Sequence, residues 1–340
     1  MTPSSKRAAA ALMLLLGAGL LAGCKDQVES KQSGYRGTGM VQLSTAKQTA
    51  ALAVANQVPE AQPPASQEGK RAKEVYQNLK VLGDLSEEEF NRTMLAINEW
   101  VAPEAGCDYC HNTEKMEDDS KYQKVVARRM IQMTQHINEK WKAHVGEVGV
   151  TCYTCHRGNG IPAYSWVQNP GPAEAQGMAA TGTGKNKASW TAGITALYDD
   201  PFTSLLTDPA KIRLQTTSAL APGMSKSIQD TEMTYALMFH LSQSLGVNCD
   251  FCHNSRSFSN WSESNPQRVT AWHGLRMVSD INKDYISLLA AVFPDNRKGP
   301  LGDPAKANCQ TCHQGASKPL LGASMLQDYR PALATETAPK

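Results

Sequence analysis

The sequence predicts a mainly α-helical fold with long irregular segments, built as two pseudo-symmetric halves. A pentapeptide of the form Cys-x-x-Cys-His occurs four times in the 340 residues. A stretch with helical spacing of apolar residues leads into each occurrence. A stretch rich in Pro, Gly, Thr and Ala separates the second occurrence from the third. Helix, motif, helix, motif, repeated once, is a two-fold internal repeat.

Cys-x-x-Cys-His is the attachment sequence of c-type haem. Each thiol adds to one haem vinyl group, and the following His supplies the proximal nitrogen to the iron. Zinc sites, redox-active dithiols and disulfides are the alternatives, but none of them requires a His after every second Cys. The sequence therefore predicts four covalently bound c-type haems in a multihaem cytochrome c, with two helix–haem–helix–haem halves. The attachment pairs are Cys107 and Cys110, Cys152 and Cys155, Cys249 and Cys252, and Cys309 and Cys312, followed by His111, His156, His253 and His313.

The N-terminus has the features of an exported lipoprotein. Lys6 and Arg7 precede an apolar run over 8–21 that is too short to span a bilayer comfortably. With the small residues that follow, this run is typical of a secretory signal. Leu-Ala-Gly-Cys, ending at Cys24, resembles the lipobox of bacterial lipoproteins, whose cysteine is acylated and becomes the mature N-terminus. Ordinary signal cleavage beside an incidental cysteine is the alternative. We expect a lipid anchor at Cys24 and a location on the periplasmic face of the inner membrane.

The charge balance bears on the partners. The chain has 34 basic and 32 acidic residues, and loss of the signal removes Lys6 and Arg7, which leaves 34 − 2 = 32 of each. The ionised propionates of four haems would add a charge of up to about −8. This mildly acidic balance argues against nucleic acid as a partner and suits basic redox partners.

Composition and motif spacing divide the chain into six segments. They are a lipoprotein signal peptide over 1–23, a lipid-anchored N-terminal arm without sustained periodicity over 24–66, a first dihaem half over 67–160, a connector over 161–226, a second dihaem half over 227–315 and a C-terminal tail over 316–340.

The first-half helices carry candidates for the sixth iron ligand. Ser86 and Glu89 predict a capping box, and the helix that follows presents Met94 on its apolar face, just before the first motif. A methionine on the apolar face of a helix usually packs in the core. Because a haem should lie within reach of Met94, we expect Met94 to ligate its iron.

The second helix is predicted from about Tyr122 to Val145. Met130 and His144 are 14 residues apart, close to four turns, and would share a face about 21 Å apart along the axis. One helix could then serve two haems. Met133 lies on the same face and is an alternative to Met130. We expect His136 to be a surface histidine or one that supports a ligand.

The third and fourth helices repeat this arrangement. The third is predicted over about 230–245, where Met238 corresponds to Met94 and Met233 is the weaker candidate. The fourth opens at Asn265 and Pro266, a cap followed by a helix-starting proline.

The sixth ligand of the fourth haem is ambiguous. Repeat symmetry favours Met277 on the fourth helix, whereas His144 is left over on the second helix. Spacing alone does not separate the two.

Several segments outside the motifs point to one family. With the motifs and the lipobox, they make nearly the whole mature chain similar to the tetrahaem cytochrome c subunit of purple-bacterial photosynthetic reaction centres; only the connector matches less well. The segments are GYRG at 34–37, VYQNLKVLG at 75–83, VVARRM at 125–130, GVTCYTCHRG at 149–158, YDDPFT at 198–203, GLRM at 274–277 and CHQG at 312–315.

The resemblance implies a ligand set. In that family three haems have Met and His ligands and one haem has two His ligands. Met277 would then be a packing residue. Carried over by matching positions, the pairs are Met94 with His111, Met130 with His156, Met238 with His253, and His144 with His313.

The resemblance also implies an electron-transfer subunit rather than an enzyme. Its partners would be the reaction centre membrane subunits that carry the bacteriochlorophyll special pair, and a soluble periplasmic electron donor such as a small cytochrome c. A membrane-tethered multihaem electron carrier of a respiratory chain is the alternative. A multihaem reductase would need an open iron position, and the distal ligands are all accounted for.

Acidic residues cluster around the first motif. A solvated loop would explain them, but we expect a docking surface that steers a basic soluble cytochrome. The residues are Glu104, Asp108, Glu114, Glu117, Asp118 and Asp119.

Overall fold

The computed structural model describes residues 27–35, 40–168, 197, 200–207, 209–212 and 228–334. The described part is mainly helical with irregular segments, as predicted. Cys24, the signal peptide and much of the connector lie outside the described residues. Among the helices described, none is both long and apolar enough to cross a membrane. The α-helices are α1 Ala46–Ala55, α2 Ala72–Val75, α3 Glu87–Val101, α4 Tyr122–Lys140, α5 Lys142–Val145, α6 Cys152–His156, α7 Phe202–Leu205, α8 Ile228–Leu245, α9 Gln267–Ile281, α10 Cys309–His313 and α11 Arg330–Leu333.

The described part of the N-terminal arm contains a β-hairpin and a helix. Strands β1 (Val28–Gln32) and β2 (Val41–Thr45) form an antiparallel hairpin. Thr45 then starts α1 with a capping box, in which its hydroxyl accepts from the Gln48 backbone N–H at 3.2 Å. The hairpin reaches the second half, where the Asn248 backbone N–H donates to Gln42 Oε1 at 3.1 Å.

Helix α3 begins as predicted, but its capping box is half formed. The Ser86 hydroxyl accepts from the Glu89 backbone N–H at 3.1 Å. The Glu89 carboxylate pairs instead with Arg92 at 3.0 Å, and both side chains are buried. Arg92 also donates to the Asp328 carbonyl at 2.6 Å. The helix start is thereby tied to the C-terminal tail.

The tail packs into the core of the first half. The Tyr329 ring is buried, meets the Trp100 ring edge-on with centroids 4.7 Å apart, and carries the Arg92 guanidinium 4.2 Å above it. Leu326 and Leu333 are buried in the same apolar cluster. Residues after the last motif therefore complete the first-half core, which local sequence pattern does not indicate.

The predicted second helix is wrong at its C-terminal end. Helix α4 stops at Lys140, Trp141 leaves helical geometry (φ −109°, ψ 27°), and α5 follows as a separate four-residue helix. Met130 and His144 therefore do not share one helical face, because the break lies between them.

The second half follows the prediction more closely. Helix α8 ends just before Gly246, whose φ of +63° is readily adopted only by glycine. Helix α9 begins at Gln267, with Pro266 in the capping position. The side chain of Asn265, the expected cap, instead donates to the carbonyls of Asp250 and Phe251 in the third motif.

Candidate haem-binding sites

The four motifs adopt two local forms. The first and third are 3₁₀ turns, Gly106–Tyr109 and Cys249–Phe251. The second and fourth are one-turn helices, α6 and α10, that end at Arg157 and Gln314 in left-handed backbone conformation. In the second and fourth motifs the short helix carries both cysteines and the histidine, whereas in the first and third the second cysteine and the histidine follow the 3₁₀ turn.

Every predicted imidazole ligand has its Nδ1 against a backbone carbonyl. A carbonyl accepts the proton of Nδ1 and leaves the lone pair on Nε2, the usual way a protein fixes the tautomer of a ligating histidine. The pairs are His111 with Met116 at 3.2 Å, His144 with Thr270 at 2.9 Å, His156 with Asn159 at 2.8 Å, His253 with Phe258 at 3.1 Å and His313 with Ala316 at 2.8 Å.

Burial keeps these imidazoles neutral. It is the main cause that lowers the pKa of His111, His144, His156 and His253. Burial lowers the pKa of His313 furthest, to about 4. A metal-ligating histidine must be neutral, so all five are in the protonation state that iron requires.

A cavity of about 960 Å³ lies between the second and fourth motifs. This volume is at the upper end of the range of about 300–1,000 Å³ for ligand and cofactor sites. Apolar side chains from α4 and α9 form much of its wall. The predicted ligands and attachment residues that line it are Cys110, Met130, His144, Cys152, Cys155, His156, Cys309, Cys312 and His313, and the rival candidates Met133 and Met277 line it too.

The ring separation of the two histidines predicted to share the fourth iron is compatible with one metal between them. The ring centroids of His144 and His313 are 6.1 Å apart. Two imidazoles on opposite sides of one metal, with metal–nitrogen bonds of about 2 Å, have centroids about 6 Å apart. Met277 is 7% exposed and packs in the core cluster with Leu275 and Val278.

The first and third motifs are more open. Cys107 and Cys249 are exposed, while Cys110 and Cys252 are partly buried, with pKa values that burial raises to about 11. Burial raises the pKa of the more enclosed Cys152 and Cys309 to about 12. These four cysteines are therefore thiols at neutral pH.

The ligand candidates for the first and third sites lie on α3 and α8. Met94 packs half-buried against the first-half core cluster. Met238 packs half-buried against the core cluster to which α4, α7, α8 and α9 contribute. Both helices run directly into the motif that they would serve.

The sulfurs of Cys155 and Cys312 are in disulfide contact. A thiol in a disulfide cannot also form a thioether, so haem attachment at both positions requires this bond to be absent. The contact also brings α6 and α10 together, and Arg157 donates from Nη2 to the Cys312 carbonyl at 3.2 Å.

The six acidic residues around the first motif differ in exposure and in their ion pairs. Glu104, Asp108, Glu114 and Asp119 are exposed, and Glu117 and Asp118 are half-buried. Asp119 pairs with Arg128 at 2.9 Å and Lys124 at 3.2 Å. The hydrogen bond from Arg128 holds the pKa of the Asp119 carboxyl well below its usual range. The negative charge of Asp119 is thus largely neutralised by Arg128 and Lys124.

Two further polar side chains, Asp280 and His240, make contacts that no sequence pattern predicts. Asp280 Oδ2 lies 2.7 Å from His136 Nε2 and accepts from Trp141 Nε1 at 2.6 Å. His240 is buried against the Phe202 ring, and burial lowers its pKa to about 4. Both depend on contacts between distant elements, which spacing along the chain does not reveal.

These features fit covalent haem. Each Cys-x-x-Cys-His segment has the Nδ1 of its histidine against a backbone carbonyl, an arrangement that leaves Nε2 for iron. The second and fourth segments contribute both cysteines and the histidine to a shared, mostly apolar cavity. A helical fold with such sites defines a c-type cytochrome.

The chain belongs to the family described as photosynthetic reaction centre cytochrome C subunit, whose model matches residues 24–334. Three relatives carry the name photosynthetic reaction center cytochrome c subunit. The one from Rubrivivax gelatinosus is 49% identical over 326 residues, covering 94% of this chain and 89% of the relative. The one from Thermochromatium tepidum is 47% identical over 311 residues, covering 91% and 76%. The one from Roseobacter denitrificans is 41% identical over 329 residues, covering 92% and 87%. The alternative of a respiratory carrier is not favoured by these matches.

Proposed function

We propose that the chain carries four c-type haems and serves a photosynthetic reaction centre as its electron-transfer subunit, not as an enzyme. It takes electrons from a soluble periplasmic carrier and passes them to the photo-oxidised bacteriochlorophyll special pair. The family match carries this proposal, because it extends over 24–334 and so includes all four attachment motifs.

The proposed axial ligands are those that the resemblance implies. Bound haem supplies a one-electron iron couple, and the chain sets its place and potential. Three sites would combine Met and His, which raises the reduction potential relative to two His ligands. The pairs are Met94 with His111, Met130 with His156, Met238 with His253, and His144 with His313; the Nδ1 contacts of the five histidines support them.

Arg157 is the cation best placed to tune two sites at once. It follows His156 directly and donates to the carbonyls of Ala55 and Cys312. Its charge adds to burial in lowering the pKa of His313. A partly buried cation beside a haem disfavours the more positive oxidised form, so Arg157 would raise the potential of both the second and the fourth haem.

Exposed acids near the first motif would form the docking surface for the soluble donor. Glu104, Asp108 and Glu114 are exposed, while Asp119 is held by Arg128 and Lys124. A negative surface beside an attachment site attracts a basic partner and orients it on encounter.

The chain would be anchored by lipid at Cys24 on the periplasmic face of the membrane, after removal of residues 1–23. The two dihaem halves, 67–160 and 227–315, would be related by the internal repeat. The alternation of 3₁₀ and α-helical motifs supports this, because each half contains one motif of each form.

Flash-induced absorbance change at the haem α-band tests the function. In native membranes we expect rapid haem oxidation after a flash, and its loss in membranes that lack this chain. Membranes that carry a Cys107→Ala, Cys110→Ala variant serve as a control, because the other three sites are kept. Fast haem oxidation that persists without the chain would contradict the proposal, as would intact haems that do not respond to the flash.

A further inference from the structure

Gly274 leaves space that the His144 imidazole fills. A Cβ added to Gly274 would lie 2.5 Å from Cε1, 2.8 Å from Nδ1 and 3.0 Å from Nε2 of His144. Carbon atoms in contact are normally about 3.5–4.0 Å apart. All three nearest atoms belong to one ring, so no side chain at position 274 is compatible with His144 in its present place.

The backbone gives no other reason for glycine there. Gly274 lies in the middle of α9, is buried, and is not among the glycines with positive φ. Glycine inside a helix is destabilising relative to alanine, because it loses more conformational freedom on folding. The close approach of His144 is therefore the physical reason for this glycine.

Helix α9 also fixes how the ring is turned. The Thr270 carbonyl lies 2.9 Å from His144 Nδ1. Thr270 is four residues before Gly274, so the two residues lie on the same face of α9. One accepts the Nδ1 proton and the other allows the ring to approach. Together they hold the ring with its centroid 6.1 Å from that of His313.

The same helix carries the rival ligand. Met277 is three residues after Gly274 and lines the same cavity as His144 and His313. We propose that Gly274 is a positioning residue that selects His144 over Met277 as the sixth ligand of the fourth haem, by leaving room for the imidazole against α9. This inference rests on the ligand assignment proposed above and names the residue that enforces it.

Spectroscopy of the purified tetrahaem protein tests the inference without measuring electron transfer to the reaction centre. Electron paramagnetic resonance reports the low-spin signal of a haem with two His ligands, and near-infrared absorbance reports each Met–iron bond. In the Gly274→Ala protein we expect the two-His signal to fall at least tenfold relative to wild type, as in His144→Ala. The Met–iron signals of the other three haems should remain, which shows that the fold is intact.

Gly83→Ala is the matched control. Gly83 also lacks positive φ, and its added Cβ would meet only the Lys73 side chain, at 3.2 Å from Cβ. This variant should keep the full two-His signal. A Gly274→Ala protein that keeps it as well would overturn the role of Gly274 and leave the ligand assignment standing. Wild-type protein without any two-His haem would overturn the assignment and, with it, the inference.

A double variant covers the case in which Gly274→Ala does not accumulate with four haems. Removing the ring in His144→Ala, Gly274→Ala gives the new methyl group room. Accumulation at the level of His144→Ala would identify the ring as the obstacle and support the inference. Failure of the double variant where His144→Ala succeeds would show that glycine is needed for another reason, and the inference would fall.

Discussion

The Trp141 indole donates from Nε1 to Asp280 Oδ2 at 2.6 Å, and the same oxygen lies 2.7 Å from His136 Nε2. Trp141 is the residue at which α4 ends and α5 begins, and Asp280 lies near the end of α9. The bond therefore fastens the turn that precedes His144 to the helix against which the His144 ring packs.

Removal of this acceptor should loosen the turn. Asp280→Ala leaves Trp141 Nε1 without its partner, and loss of a partly buried acceptor costs about 1–3 kcal/mol. We expect the free energy of unfolding of the holoprotein to fall by about 2 kcal/mol in denaturant titration. Asp280→Asn keeps one acceptor oxygen, so its free energy of unfolding should fall by less. Equal losses in the two variants would show that charge, rather than the bond to Trp141, matters at this position.

The two methionines of α4 should differ in whether they ligate iron. Met130 and Met133 both line the cavity. Met130→Leu should abolish one Met–iron band in near-infrared absorbance and lower the midpoint potential or change the spin state of the second haem. Met133→Leu, a substitution of similar volume, should leave the bands unchanged. The reverse outcome would reassign the second haem to Met133.

The success of the sequence prediction depends on how local each feature is. The start of α3 at Ser86 and the end of α8 before Gly246 are set by residues within one turn, and both were predictable. The break at Trp141 and the burial of Tyr329 against Trp100 depend on partners far along the chain. Apolar periodicity continues through Trp141, so the pattern alone predicts one uninterrupted helix.

The same distinction holds for the site. Cys-x-x-Cys-His gives the attachment residues and the proximal histidines directly. The Nδ1 acceptors are backbone carbonyls, which any residue type supplies, so no sequence pattern identifies them. For Gly274, against which the His144 ring lies, the available signal was a glycine inside a helical pattern, because such a glycine usually has a packing or functional reason.

The acidic surface should govern the rate of donor docking. Replacing exposed Glu104 and Glu114 with Lys reverses the charge without breaking an internal pair, unlike a change at Asp119. We expect the second-order rate constant with a basic cytochrome to fall about tenfold at low ionic strength, and the difference to shrink as salt is added. Glu60→Lys, Glu68→Lys changes two exposed acids outside the cluster and so makes the same change in net charge. Equal slowing by this double variant would point to overall charge instead of a docking surface.

Arg157 should set the potential of two haems together. Arg157→Gln removes the positive charge but keeps a hydrogen-bond donor towards the Cys312 carbonyl. We expect the midpoint potentials of the second and fourth haems to fall by roughly 60 mV, equivalent to about 1.4 kcal/mol for one electron. Redox titration followed by optical spectroscopy measures this. Arg128→Gln removes a half-buried cation whose charge is paired with Asp119, and it should shift these two potentials less; a larger shift would contradict the assignment to Arg157.

The stability of the protein should depend on pH through His240, which is 1% exposed. Burial lowers its pKa in the folded protein from 6.5 to about 4. As pH falls below 6.5, His240 binds a proton in the unfolded chain, whereas in the folded chain it does so only near pH 4. The unfolded state is then favoured, so stability present above pH 6.5 is lost between pH 6.5 and pH 4, by about 3 kcal/mol in total. Denaturant unfolding of wild type and of the non-titrating His240→Gln variant, compared across this window, isolates the effect from that of the carboxylates. The difference in unfolding free energy between the two proteins should change with pH only between these values; a constant difference would mean that His240 titrates normally in the fold.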